Sequence, residues 1–173
     1  MSVDSAFAML SIRPATVNDT AAILSMIREL ADYLNELPLV AVTEAQLEKD
    51  GFGENPLFDV LLAEWDGEIV GYALFFDIYS TWLGRQLFLE DVFVRPQFRG
   101  RGIGMRLMAE VAQIAIQRGC RELRWEVLER NRNAIDFYRA MDAEFLDECK
   151  AIMLSGDAVR LLAKRAGVKD LSS

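Results

Sequence analysis

Two adjacent acids, Glu90 and Asp91, interrupt the apolar run from Leu87 to Val94, and the turn Arg99-Gly100-Arg101-Gly102-Ile103-Gly104 follows soon after. A carboxylate on an apolar strand is costly unless it is paired or used. Glu90 is therefore a candidate to bind an amine and take its proton, directly or through water; the bland alternative is a carboxylate capping a neighbouring loop. Alternation in a regular strand puts Phe88, Glu90, Val92 and Val94 on one face and Leu89, Asp91 and Phe93 on the other. The two acids would then point apart, a poor geometry for a glycosidase-type pair. The glycine turn lies between a strand and an amphipathic helix, a junction that aims unpaired backbone N–H groups outward and adds the helix dipole. With Arg99 and Arg101 beside it, its natural guest is a phosphate or pyrophosphate. It is not a P-loop, and a Rossmann fingerprint begun at Gly100 would need glycine where Met105 stands. Downstream, Asn131 and Tyr138 are seven residues apart, a spacing that puts both on one face of a helix.

Other chemistry is excluded by composition. Histidine is absent from the 173 residues, which rules out a Ser-His-Asp triad, a Cys-His dyad and His-ligated zinc. No metal site is expected. General acids and bases must come from Asp, Glu, Tyr, Cys, Lys or water. Cys120 and Cys149 form no CxxC pair and fit a reducing compartment better than a disulfide framework. The net charge of -8 argues against sequence-independent nucleic-acid binding and suits a cationic small molecule. The first ten residues carry Asp4 and no Lys or Arg, so they do not read as a secretory signal. No apolar run approaches the roughly 20 residues that span a bilayer. A cytoplasmic protein without membrane or nucleic-acid partners is the expectation.

The elements that must position these residues alternate in type. Ala8 to Arg13 reads as a strand stopped at Pro14. Asn18 or Asp19 can cap a helix with the stripe Ile23, Ile27, Leu30 and Leu34, and Thr43 with Gln46 forms a capping box for a second helix. Leu57 to Trp65 and Ile69 to about Ile78 are strands joined by the hairpin signal Asp66-Gly67. After a connection with Trp82 and Gly84 come the strand Leu87 to Val94, the glycine turn, and a helix from Ile103 to Arg118. Leu123 to Leu128 predicts a strand, Asn133 to Met141 a helix and Phe145 to Leu154 a last strand. Ser155 or Asp157 can cap a final helix through Leu162. The order β-α-α-β-β-β-α-β-α-β-α predicts an α/β fold with a mixed, mostly antiparallel central sheet flanked by helices. One domain over residues 8–168 is expected, with an extension at 1–7 and a tail at 169–173.

The string R-x-x-G-x-G, begun at Arg99, resembles the phosphate loop of the GCN5-related N-acetyltransferases (GNAT). The segments Ile12-Arg13-Pro14-Ala15-Thr16, Asp50-Gly51-Phe52-Gly53-Glu54-Asn55-Pro56 and Leu89-Glu90-Asp91 resemble the diamine acetyltransferase branch. Ile78-Tyr79-Ser80-Thr81-Trp82 is similar to its thialysine Nε-acetyltransferase members. The resemblance implies a single GNAT-type domain, acetyl-CoA as co-substrate, and a homodimer. It implies that backbone groups of Val92, Phe93 and Val94 hold the pantetheine arm and that Gly100, Arg101, Gly102, Ile103, Gly104 and Met105, with Arg99, bind the pyrophosphate. Asn131 would contact CoA and Tyr138 would be the general acid. Glu90, Asp91, Trp82 and Ser80 would lie at the amine site, where Trp82 either walls the pocket by cation–π contact or covers the hairpin.

Polyamine enzymes of this branch typically carry an aspartate where Ser80 stands and a glutamate near Leu34. Two further departures are Asp142, where many relatives have glycine, and Cys149 to Met153, which lacks the usual aromatics. The activity implied is transfer of an acetyl group to the amine of a thialysine- or lysine-like substrate by direct attack in a ternary complex. The alternatives are polyamine acetylation, acetylation of a protein amine, and a CoA-binding sensor module without turnover.

Overall fold

Asp66 and Gly67 take φ values of +54° and +80°, the left-handed pair that a two-residue hairpin requires and that Asp-Gly supplies at little cost. Trp65 pairs directly with Glu68 across the turn, as the sequence predicts. A computed structural model describes residues 9–148 and 150–165. The chain falls into two compact units, Met1–Asn131 and Arg132–Ser173.

The first unit carries a sheet of five strands in the spatial order β1 (Leu10–Pro14), β2 (Asp59–Trp65), β3 (Glu68–Ser80), β4 (Gly84–Val94) and β5 (Leu123–Arg124). The first four are antiparallel neighbours; β5 joins β4 in parallel. This is the mixed, mostly antiparallel α/β sheet that the element order predicts. The unit's helices are α1 (Thr20–Tyr33), α2 (Glu44–Phe52) and α3 (Ile103–Gln117). On one face of the sheet, Ile23, Leu24 and Met26 of α1 and Leu47 of α2 form a cluster with Val60, Leu62, Tyr72, Leu74 and Phe93. Helix α3 packs on β3 and β4, burying Ile103, Leu107, Met108, Val111 and Ala115. Strands β3 and β4 approach so closely at Gly71 that a Cβ there would lie 2.6 Å from the Phe93 carbonyl oxygen.

The capping box is present: the Gln46 N–H donates to Thr43 Oγ1 and the Thr43 N–H to Gln46 Oε1. Asp19 departs from its expected role. It stands at the N-cap of α1 without bonding the helix amides, because Arg13 claims its carboxylate with two bonds of 2.8 Å and Thr16 N–H donates to it as well. These donors hold the buried Asp19 carboxyl well below the usual carboxylate range. A depressed pKa contributes stability that is complete above the unfolded value near 3.9 and is lost as pH falls below it. Asp19→Asn is expected to cost about 2 kcal/mol, lowering Tm by about 4–8 °C and flattening the acid limb of stability below pH 4. Thermal melts of both proteins from pH 3 to 7 check this.

Two strands differ from expectation. Strand β5 stops at Arg124, where Leu128 was predicted. The segment 145–154 contains no strand among its described residues; Cys149 lies outside them. Its apolar side chains are exposed, Ile152 at 94% and Met153 at 82%. Alternating apolar residues make a strand only where an edge pairs with them, and the described residues of the second unit contain no strand. That unit carries α4 (Arg132–Arg139) and α5 (Asp157–Arg165). Asp142 takes φ +58°, a conformation natural to glycine and tolerated by Asp, which accounts for the glycine expected there. Among the described residues no helix is long and apolar enough to cross a membrane.

Candidate active site

A bulge in β4 sits beside the two acids. Leu74 pairs with Asp91 and Phe75 with Leu89, so Glu90 is the extra residue. An inserted residue breaks strict alternation. Tyr72 pairs with Phe93 and Leu74 with Asp91, so Asp91 keeps the face of Phe93 and Tyr72, and the Tyr72 hydroxyl donates to Asp91 Oδ2 at 2.8 Å. Tyr72, Leu74 and Phe93 all belong to the core beneath α1 and α2. The expectation that Leu89 shares the face of Asp91 and Phe93 is corrected, since it assumed a regular strand; Leu89 pairs with Phe75 on the opposite face, and Glu90 has no partner on β3.

The acids form an anionic group. Partial burial, then Asp91, then Glu126 push the Glu90 carboxyl upward, although Glu90 remains open to solvent. Burial raises Asp91 as well, against the lowering effect of the Tyr72 hydroxyl. No Lys or Arg pairs with Glu90, Asp91 or Glu126 among the described residues. Other carboxylates of the first unit are matched: Asp77 by Arg85, Asp59 by Arg118 and, from α1, Glu29 by Arg95. Unmatched carboxylates, two of which push Glu90 upward, suit a cationic guest and a proton acceptor.

Ser80 has a local duty. Its Oγ accepts from the N–H groups of Trp82 and Leu83, each at 3.2 Å, shaping the β3–β4 turn. Trp82 is 93% exposed and so does not cover the hairpin.

The glycine turn has the geometry of an anion site. Gly100 and Gly102 take φ +73° and +79°, with open space where a Cβ would stand. Gly102 is the N-cap of α3 without a side-chain cap, and the first helical bond runs from Arg106 N–H to Gly102 O. The amides of Ile103, Gly104 and Met105 precede that bond and have no partner within the helix. The two arginines are engaged by the protein itself. Arg99 Nε donates to Val94 O at 2.8 Å, with its guanidinium 4.7 Å over Tyr33 and 5.6 Å over Phe93. Arg101 stacks 5.1 Å over Trp65 and 5.4 Å over Phe98.

Between acids and turn, β4 offers a free edge. Strand β5 pairs with it only at Leu87 and Phe88, and beyond them that edge pairs with no strand among the described residues. Backbone groups of Val92 and Phe93 thus lie on a segment left for another extended partner, whereas Val94 O is taken by Arg99 Nε. Open glycines, leading amides and a free strand edge fit the phosphates and amide-bearing arm of a CoA.

Asn131 immediately precedes α4, its N–H bonded to Leu128 O at 2.8 Å. Tyr138 lies within α4, where it and Ile135 are the buried residues.

The pattern of the acetyltransferase (GNAT) family matches residues 23–142, from α1 through the bulge and glycine turn to the end of α4. The chain belongs to the GNAT acetyltransferase family. This acetyltransferase is 42% identical over 167 residues to the thialysine N-epsilon-acetyltransferase of Sus scrofa, covering 90% of this chain and 98% of the other. It is 37% identical over 139 residues to the spermidine/spermine N(1)-acetyltransferase-like protein 1 of Homo sapiens, covering 76% of this chain and 20% of that one. Among solved structures, an integron cassette protein from the V. cholerae mobile metagenome superposes with TM-score 0.75 at 26% identity, covering 90% of this chain and 98% of that one. An aminoglycoside N-acetyltransferase in complex with CoA superposes at 0.67 with 21% identity, covering 85% and 94%. The protein is an N-acetyltransferase, and acetyl-CoA is the donor used by GNAT enzymes.

Sequence reasoning missed Tyr72 and Glu126. Tyr72 reads as a core aromatic at a strand position, and only the register of β3 on β4 brings Asp91 to its hydroxyl. Glu126 falls within the predicted strand Leu123 to Leu128 and carries no motif.

Proposed function

We propose that this acetyltransferase moves the acetyl group of acetyl-CoA to the terminal amine of a small amino-acid substrate of thialysine or lysine type. The observation that carries this reading is the group of Glu90, Asp91 and Glu126, which has no cation partner among the described residues. It stands on and beside the strand whose free edge leads to the glycine turn. The 42% identity to a thialysine N-epsilon-acetyltransferase supports the choice of amine.

An alkylammonium with pKa near 10.4 is almost wholly protonated at pH 7, and freeing its lone pair costs about 4–5 kcal/mol. A negative site binds the cation but favours the charged form, so a proton acceptor must complete the transfer. Glu90 fills that role: raised above its ordinary value and open to solvent, it accepts the proton and can pass it to water. Asp91 holds the ammonium in place. Backbone groups of Val92 to Val94 orient the thioester arm, the amides from Gly100 to Met105 hold the pyrophosphate, and Asn131 contacts CoA. Tyr138 protonates the departing thiolate.

A polyamine reading draws on Glu126, a third carboxylate that a second ammonium could use. Against it, Ser80 and Leu34 stand where carboxylates are expected in polyamine enzymes, and the Ser80 hydroxyl is bound within its own turn. Free-thiol release across lysine, thialysine, ornithine, putrescine and spermidine decides between them. The expected result is a higher kcat/KM for thialysine or lysine than for spermidine; a tenfold advantage for spermidine overturns it. Stabilisation by acetyl-CoA without thiol release from any amine would instead mark a sensor module.

A further inference from the structure

We propose that Tyr72 is a positioning residue for the acceptor amine, holding Asp91 through one carboxylate oxygen so that the other faces the substrate cation. This rests on the proposed function. The placement follows from the register: Tyr72 pairs with Phe93 and Leu74 with Asp91, so Tyr72 and Asp91 are diagonal neighbours on one face of the sheet. There Tyr72 O–H reaches Asp91 Oδ2 at 2.8 Å.

Tyr72 is fully buried, its ring set among Ile23, Met26, Leu74 and Phe93. Packing on every side fixes where its hydroxyl points. Phenylalanine would fill the same volume, and a buried hydroxyl is tolerated only with a partner. Among the described residues no other side chain bonds Asp91, and no buried side-chain oxygen lacks a partner. Oδ1, without a partner of its own, is therefore not sealed inside the core.

The charged groups around Asp91 leave Tyr72 as its one stabilising neighbour in the first unit. On its own strand the nearest is Glu90, and after β5 Glu126 acts on Glu90, both of one sign. From α1, Glu29 is tied to Arg95, whereas Arg28 and Asp32 bond neither acid. Arg99 lies over the Phe93 ring with its Nε committed to Val94 O. Burial drives Asp91 toward the neutral acid, and the Tyr72 hydrogen bond opposes it. A neutral Asp91 would no longer attract an ammonium.

The test is Tyr72→Phe, which keeps the ring and removes the donor. KM for the amine is expected to rise about tenfold with a smaller change in kcat, in line with losing a hydrogen bond to a charged group. The acid limb of the kcat/KM profile should move upward by about one pH unit, because Asp91 then protonates at higher pH. In an Asp91→Asn background, Tyr72→Phe should add nothing further. Carbon-13 NMR of the Asp91 carboxyl reads the same upward shift without turnover. An unchanged limb and KM, or a uniform loss at every pH that persists in the Asp91→Asn background, overturns the role and leaves Tyr72 a core residue. If the wild-type enzyme acetylates no amine in the panel, the proposed function falls; the Asp91 resonance still decides the positioning role, which an unshifted signal overturns and a shifted one upholds for whichever cation the carboxylates bind.

Discussion

Tyr138→Phe is expected to lower turnover by about 100-fold while leaving CoA affinity unchanged. The substitution removes one oxygen from a buried ring and leaves its backbone duties intact: Tyr138 O accepts from Met141 N–H and Ala143 N–H at the end of α4. What is lost is a proton for the leaving thiolate. A thiol titrates near 8.5 and a phenol near 10, so the free thiolate departs poorly at neutral pH without a donor. Single-turnover acetyl transfer to thialysine, paired with calorimetric CoA titration, separates the two effects. Near-wild-type chemistry would demote Tyr138 to a packing residue.

Gly102→Asp is expected to raise the CoA dissociation constant at least tenfold, or about 1.4 kcal/mol. The variant should fold. Nothing lies within 4 Å of the position its Cβ would take, and Asp is among the few residues that visit φ near +79° at modest cost. The added carboxylate, however, would set a negative charge beside the leading amides of α3, where the pyrophosphate would bind. Gly102→Asn keeps the shape without the charge and should lose much less. Calorimetry on the folded variants checks the pair; equal CoA affinity in wild type and Gly102→Asp would place the phosphate site elsewhere.

Local chemistry was legible in the sequence wherever adjacent residues decide it. Asp66-Gly67 dictates a two-residue turn because few other pairs take both positive φ values, and it formed as read. Thr43 and Gln46 are three apart, so their capping box closes without help from the rest of the chain. Gly100 and Gly102 mark left-handed positions before an amphipathic helix, and the turn they form has the open, amide-rich character expected of them. Apolar spacing placed α1 and α3; the α3 stripe is buried largely as read, whereas in α1 Ile23 is buried with Leu24 and Met26, and Ile27 and Leu30 only partly.

What depended on distant partners was not legible. Alternation put Leu89 with Asp91 and Phe93 on one face; register with β3 inserted Glu90 as a bulge and moved Leu89 to the other face, and only pairing with β3 set Tyr72 beside Asp91. Asp19 looked like a helix cap until Arg13 claimed it from β1. Phe145 to Leu154 has the pattern of a strand, yet pairing needs an edge, and pattern alone cannot supply one. The residue types and short spacings of this protein thus determined its family, its helices and its glycine turn. The bulge at Glu90 and the Tyr72–Asp91 contact were decided by tertiary structure alone, because strand register is a property of two segments brought together and is written in neither of them.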